Sequence, residues 1–600
     1  MSGGGTVILN GKLYYNDYSY RASDTGVEQN VVCVDLHTGK ELWVRNWNNT
    51  RLEFGQLFYW QSYNYQGVYG YLWAVTGSTW DAYDPLTGRW IYRMMDVPSG
   101  TRLYGPRGEI YIYYVDLAKG WMMLWNSSRV VSTEGSFSRA LTGQTFNVSM
   151  NGYTTRPRNS GYEWNKTIPT GLPGVIKAVF LEDRIIGSTI KALAEMDPYE
   201  PTFTVWGVNL KPGQEGTLLF NATWQRPDSM GRNQSIQWKE VSEKDLIGVL
   251  WSKELLQHYA VSLETGKLIW GPTTSTGYLD FYEGTVLTSH FVAYGNVYTV
   301  GLDGIVHCYD GKTGTELWTY TAEDPYTETE IGNNWWLGII FFADGKVYLG
   351  HGEHSPNMPL PRGAPFICLN ATSGEEIFRI DGAFRQTCWG GLAIIGDSIM
   401  ATQDTYDQRI YAVGKGPSAT TVTAPDIGVT TGTSVVIRGA VTDISPGTKD
   451  SALTMRFPNG VPTVSDASMS DWMLYVYMQF ARPTNATGVP VSIDVIDSNG
   501  NYRNIGNTTT DATGSFSFQW TPDISGKYTV IASFAGTNGY WPSYSETSFA
   551  VDPAAPTASP YPVVNLPPTE TYFAISTVAI IVAIAIVGAL LALLLRRKRP

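Results

Sequence analysis

The stretch CVDLHTGKELW, Cys33 to Trp43, decides the fold, because versions of it return along the chain. Aligned on the turn glycine, VDLHTGKELW at Gly39 is followed by YDPLTGRWIY at Gly88, VSLETGKLIW at Gly266, YDGKTGTELW at Gly314 and LNATSGEEIF at Gly374. Fainter versions stand at VDLAKGWMMLW (Gly120) and VNLKPGQEGTLLF (Gly213). Repetition at this spacing marks propellers and solenoids, whose units bury their faces only against neighbours. Within a copy, a β-run such as NVVCV or GIVHC forms a strand. The Asp or Asn four residues before the glycine bonds turn backbone, and glycine supplies a positive φ. The next run, KELW or TELW, then folds back antiparallel. A large aromatic falls four residues after each clear glycine: Trp43, Tyr92, Trp270, Trp318 and Phe378. These five are predicted to dock between neighbouring sheets, each burying on the order of 200 Å². At about 25 cal/mol per Å², that contributes several kcal/mol before ordering costs. The repeat therefore reads as architecture.

Six hundred residues exceed one ordinary core, in line with repeats or several domains. Aromatics at 13% with 62 glycines and only 16% charged residues give a turn-rich β composition. Lys and Arg number 42 against 54 Asp and Glu, a net charge of −12, which argues against a nucleic-acid partner.

The strand–Asp-x-x-Thr-Gly-x-x-x-Trp pattern resembles the tryptophan-docking repeat of the PQQ-type β-propeller family. That family spans quinoprotein dehydrogenases and non-enzymatic propellers. The resemblance covers roughly residues 3–415, and the copies with the half-copy LAIIGDSIMATQDTYDQRIYAVGKGP imply eight blades. The polar segment NGYTTRPRNSGYEWNKTIPTGLPG, between Gly120 and Gly213, reads as an insertion on a loop or rim.

The expected fold class is all-β: an eight-bladed PQQ-like propeller over residues 1–415, then an Ig-like β-sandwich over 418–552. The sandwich rests on alternating strands such as VPVSIDVID, GSFSFQWTP and GKYTVIASFAG, and resembles domains of archaeal surface proteins. NGVPTVSDASMSDWMLYVYMQFARPTNATG, Asn459 to Gly488, is either an insertion or an extra hairpin. A Pro- and Thr-rich stalk follows over 553–571. Residues 572–595 carry no charge and reach roughly 36 Å as a helix, enough to cross a membrane. The basic tail 596–600 places that end in the cytoplasm and the large N-terminal part outside. Asn-x-Ser/Thr sites at Asn48, Asn126, Asn147, Asn165, Asn221, Asn233, Asn370, Asn485 and Asn507 are glycosylation candidates for such a glycoprotein. The opening MSGGGTVILNGKLYY holds neither a basic start nor an apolar run. An export signal, and a strand completing the last blade, are expected upstream of Met1.

The resemblance implies what an enzymatic version would need: a vicinal Cys-Cys disulfide, a Trp on the other face of PQQ, and Glu, Asn and Asp around a divalent cation. Cys33, Cys308, Cys368 and Cys388 include no adjacent pair. They read as buried free thiols, although Cys368 and Cys388 could pair between blades. His351, Glu353 and His354 in HGEHSPNMP lack metalloprotease spacing and read as a polar loop. Asp497 to Asn501, DSNGN, reads as a hairpin turn in preference to a calcium loop. No catalytic or metal residue is assigned and no cofactor is predicted; PQQ with calcium lacks motif support. Trp60, Trp335, Trp336 and Trp389 precede probable inner strands, where flat aromatic faces could line a channel mouth for sugars or peptides.

The expected function is a non-enzymatic, membrane-anchored binding or scaffold module for a protein or glycan partner at the cell surface. An alternative is a PQQ- or metal-dependent extracytoplasmic oxidoreductase, and a third reading is an envelope scaffold assembling with wall proteins.

Overall fold

Four-stranded antiparallel sheets recur along the chain in the computed structural model, because each copy of the repeat supplies the turn between its third and fourth strands. The structure describes all residues except 1–4, 18–27, 62–65, 134–135, 138–140, 150–159, 193–200, 228–229, 277–288, 302, 326, 328–332, 354–364, 382–384, 388–392, 405–408, 557–567 and 598–600. The first sheet is Val7–Leu9, Lys12–Asn16, Asn30–Asp35 and Glu41–Asn46, in chain order. Seven more sheets follow, ending with Ile394–Gly396, Ile399–Asp404 and Arg409–Gly414, which has three strands.

The first sheet packs on the eighth, which closes the ring. Gly11 N–H donates to Asp397 Oδ2 at 2.6 Å. Ile8 lies over Gly396, where a Cβ would stand 2.5 Å from its Cγ2. Leu13, Leu36 and Ala401 are buried at the junction with Ile8, Ile394 and Ile410 against them.

Two readings of the repeat change. Gly120 lies between Ile110–Asp116 and Trp121–Asn126, the second and third strands of the third sheet, so it is not an equivalent of Gly39. The same sheet reaches its outer strand, Tyr162–Thr167, only after a long insertion. Part of that insertion, Gln144–Asn147, adds a fifth, parallel strand outside Trp90–Met95 of the second sheet. It is thus partly an element of a neighbouring blade.

Beyond the ring, two sheets face each other. One holds Ser418–Thr423, Val435–Asp443 and Ser515–Trp520; the other holds Pro490–Ile496, Tyr502–Thr509, Gly526–Phe534 and Ser543–Asp552. Alternate residues Val491, Ile493, Val495, Val530 and Ala532 fill one core between them. Segment 459–488 carries a helix, Met469–Tyr477, and no extra hairpin. Trp472 and Val476, one turn apart on it, are buried with Leu453 and Val461. The two bodies are joined closely. Trp541 N–H donates to Gly416 O at 2.8 Å, Lys415 Nζ stands 4.7 Å from the Trp541 ring, and Met478 packs on the Phe378 and Tyr411 cluster. The last helix, Thr569–Arg596, is long and apolar enough to cross a membrane, and its apolar side chains are exposed.

Candidate functional site

The repeated aromatics come first, since they are the most numerous candidates. Each stands directly opposite a small residue on its own third strand: Trp43 faces Cys33, Tyr92 faces Ala82, Trp270 faces Ala260, Trp318 faces Cys308 and Phe378 faces Cys368. Phe220 faces Gly207 in the same way. The ring then lies on the turn glycine of the next copy. A Cβ on Gly88 would stand 2.9 Å from Trp43 Cε3, on Gly266 2.9 Å from Phe220, on Gly314 2.6 Å from Trp270 Cε3, and on Gly374 2.5 Å from Trp318 Cε3. The glycine thus does two things: it adopts a φ of +66 to +75° and it leaves room for a flat ring. Trp43 Nε1–H donates to Pro85 O at 3.2 Å and Trp270 Nε1–H to Gly311 O at 2.8 Å, each carbonyl one residue past the turn aspartate of the next copy. Tyr92 departs from this scheme. The added strand brings Phe146 to 5.9 Å from it, edge-on.

The same geometry accounts for the cysteines. Cys33, Cys308 and Cys368 are free thiols at zero exposure, in a slot that other sheets fill with Ala82, Ala260 or Gly207. Burial pushes the Cys33 and Cys368 thiols up to about 11 and Cys308 up to about 12, so none is a nucleophile near neutrality. Cys368 is unpaired, and Cys388 lies outside the described residues. The turn carboxylates are equally occupied: Asp35 Oδ1 accepts from Thr38 Oγ1 at 2.8 Å and from the backbone N–H of His37 and Thr38. The Thr38 bonds hold its carboxyl below the usual range.

Among the channel candidates, Trp335 is fully buried, with Leu337 and Ile339 beside it, and its backbone N–H donates to Ala322 O at 2.7 Å. It is packed between the sixth and seventh sheets and offers no face to a ligand. Trp336 and Trp60 are half-buried, and Trp60 packs on Phe58 at 5.9 Å. Trp389 lies outside the described residues, as does His354. His351 and Glu353 end the strand Lys346–Glu353 instead of standing in a loop. Asp497 Oδ1 accepts from the N–H groups of Asn499 and Asn501, the bonding of a turn. Of the Asn-x-Ser/Thr sites, Asn48, Asn147, Asn165, Asn221, Asn233, Asn485 and Asn507 are exposed. Asn126 is buried, donating to Glu163 Oε1 at 2.8 Å, so no glycan fits there in the folded chain. Asn370 spends its side-chain oxygen on the turn, at 2.8 Å from Thr372 N.

A pair that motif spacing does not reveal sits between the fifth and sixth sheets. His258 Nε2 and His290 Nε2 are 3.0 Å apart, and His290 Nδ1 is 2.7 Å from Ser289 Oγ. Trp251 lies at 4.3 Å from the His258 ring and Tyr309 at 5.5 Å. Burial, with Lys239 and His307 nearby for His258, lowers both imidazoles, His258 to about 3. One proton shared between two neutral rings satisfies this geometry, and with both side chains buried no substrate reaches them. An open depression of about 720 Å³ between the second and third sheets is lined by Trp80, Pro98, Gly100 and Arg102 and holds no acid–base pair. Among the described residues no three His, Cys, Asp or Glu side chains converge as a metal site. Among the described residues the three free thiols lie in separate sheets and Trp335 is enclosed in the core.

The family model described as outer membrane protein assembly factor BamB, of the PQQ-repeat type, matches residues 257–375. No curated protein matches the sequence. Among solved structures, the computationally designed Ika8 protein is 12% identical with a TM-score of 0.36, covering 68% of this chain and 96% of its own. BamB from Moraxella catarrhalis is 10% identical with a TM-score of 0.25, over 61% and 90%. The quinohemoprotein alcohol dehydrogenase ADHIIG from Pseudomonas putida HK5 is 10% identical with a TM-score of 0.28, over 65% and 71%. The matched stretch runs from the fifth sheet into the seventh, and over it the repeat is of the PQQ type; the same docking pair of aromatic and glycine stands in sheets on either side.

Proposed function

We propose that this protein is a non-enzymatic binding or scaffold module, tethered by helix Thr569–Arg596, that presents its ring to a protein or glycan partner outside the cell. One observation carries the reading. The groups that the repeat multiplies are consumed by the fold: aromatics by glycines, thiols by their slot, carboxylates by their turns. What remains for a partner is surface. The long hairpin Leu52–Gln61 and Gln66–Thr76 exposes Leu57, Tyr59 and Val68 along the second sheet, beside half-buried Trp60. Flat apolar side chains among Gln and Gly suit a peptide or sugar.

The test uses the full chain in lipid nanodiscs, with cross-linking in its native envelope and a glycan array. The expected result is a saturable partner whose capture falls at least tenfold in a Tyr59→Ala, Val68→Asp double variant. Quinone absorbance and dye reduction with alcohols or sugars after addition of PQQ and calcium would instead establish an oxidoreductase.

A further inference from the structure

Arg102 is the one charged residue that lines the open depression between the second and third sheets. No carboxylate stands among the lining residues, in a chain whose Asp and Glu outnumber Lys and Arg by 54 to 42. The depression forms where the turn at Gly77 and Ser78 meets the connector between the two sheets, with Val97 N–H donating to Ser78 O at 3.0 Å. Gly77 has a φ of +61°, and a Cβ there would meet nothing within 4 Å, so the space beside that turn is open. Arg102 stands on Thr101–Tyr104 and is exposed. Its guanidinium carbon lies 3.7 Å from the centroid of the Phe54 ring, and Phe54 meets Trp80 edge-on at 5.3 Å. The stack holds the guanidinium by one face and leaves its N–H groups free, since none donates to an acceptor among the described residues. Trp80 shows the same pattern. In its aromatic cluster the indoles of Trp73 and Trp125 donate to Gln56 Oε1 at 3.0 Å and Ser160 O at 2.8 Å, whereas that of Trp80 has no acceptor among the described residues. The exposed hydroxyls of Ser78 and Ser99 complete a set of donors around a single cation.

We propose that this depression binds an acidic sugar at the end of a glycan, a hexuronic acid whose carboxylate Arg102 holds and whose hydroxyls meet Ser78, Ser99 and the Trp80 N–H. A guanidinium fixed on an aromatic ring is prepared for a carboxylate, which it takes through two parallel N–H···O bonds. The two serine hydroxyls and the indole N–H suit a polyol, whereas an acidic peptide would need Arg102 alone. The depression measures about 720 Å³, within the range of roughly 300–1,000 Å³ usual for small-ligand sites, and it admits one or two sugar rings. It lies at the far end of strand Gln66–Thr76 from the Tyr59 and Val68 surface, so the two surfaces can be tested separately. The inference rests on the binding-module reading and deepens it, since it names the chemistry of a glycan partner.

The experiment titrates the full chain in nanodiscs with methyl β-D-glucuronide, followed by saturation-transfer NMR and calorimetry. Saturable binding is expected. It should weaken at least tenfold for methyl β-D-glucoside, which lacks the carboxylate, and for acetate, which has the carboxylate alone. Arg102→Gln is expected to cost at least tenfold and Arg102→Lys several-fold, because the lysine keeps the charge and loses the fork. Ser99→Ala, which leaves the Phe54 stack in place, is expected to cost about threefold and keeps the test readable should the arginine variants disturb the fold. Absent binding, equal binding of the glucoside or of acetate, or binding untouched by Arg102→Gln overturns the site. Tighter binding of a glutamate-terminated peptide than of the glucuronide also overturns it, in favour of a protein ligand. If the glucuronide fails while the envelope partner is still captured through Tyr59 and Val68, the depression alone falls and the module reading stands; if both fail, both fall.

Discussion

The ring and the sandwich stabilise themselves in different ways. In the ring, buried apolar residues fall into separate clusters at sheet junctions, several of them centred on stacked or tilted aromatic rings, as where Trp47 stacks on Tyr83 at 3.8 Å beside Trp43. In the sandwich, one continuous core of Val, Ile and Phe lies between two sheets. The ring is therefore a sum of neighbour interactions and the sandwich a single unit, although Gly416, Lys415 and Trp541 hold them together. Repetition carries information where a copy needs its neighbour; alternation suffices where one core serves all.

The comparison breaks first on the largest residue. Trp270→Ala is expected to cost about 3–5 kcal/mol, lowering the ring's thermal transition while a separate sandwich transition stays in place. A shift of both by the same amount in calorimetry would make the two bodies one unit. Ile493→Ala is expected to do the converse, at about 2–4 kcal/mol, in the sandwich alone.

Acid sharpens the contrast further. His258 and His290 are both held below the ordinary imidazole pKa in the folded ring, so the unfolded chain takes up protons first. Their contribution is intact above about pH 6.5 and is lost as pH falls toward about 3, at up to about 2 kcal/mol per histidine by pH 5. The ring's melting temperature should drop between pH 7 and 5, and His258→Gln should flatten that dependence. An unchanged slope in the variant would show that the pair does not stay neutral. The smallest effect belongs to Cys308→Ala, expected within about 1 kcal/mol because Ala82 and Ala260 fill the same slot. Cys308→Leu should be far worse, by chemical denaturation of the same preparations.

Much of the ring was legible because glycine and aromatic recur at a fixed offset, and each offset encodes one contact. Gly120 misled because its turn imitates the motif within a different strand pair, and strand order within a sheet is not written in local spacing. The insertion's parallel strand against Trp90–Met95 was hidden for a similar reason, being a pairing across blades. Trp335 read as a channel residue from its place before a strand, whereas packing from two sheets encloses it. His258 and His290 stand in different sheets and meet only when the junction forms, so no local spacing announces them. The helix Met469–Tyr477 was obscured by its Tyr, Trp and Val, which favour strands until the buried stripe through Trp472 and Val476 decides otherwise.

The most direct measurement is a double-mutant cycle on Trp270 and Gly314. In the parent chain Gly314→Ala drives a methyl to 2.6 Å from the indole at a positive φ, and is expected to cost about 2–4 kcal/mol. In the Trp270→Ala background only the backbone cost of roughly 1 kcal/mol should remain, a coupling of about 1–2 kcal/mol or more. Additivity within about 0.5 kcal/mol would mean that indole and glycine do not meet, and the docking account of this ring would be wrong.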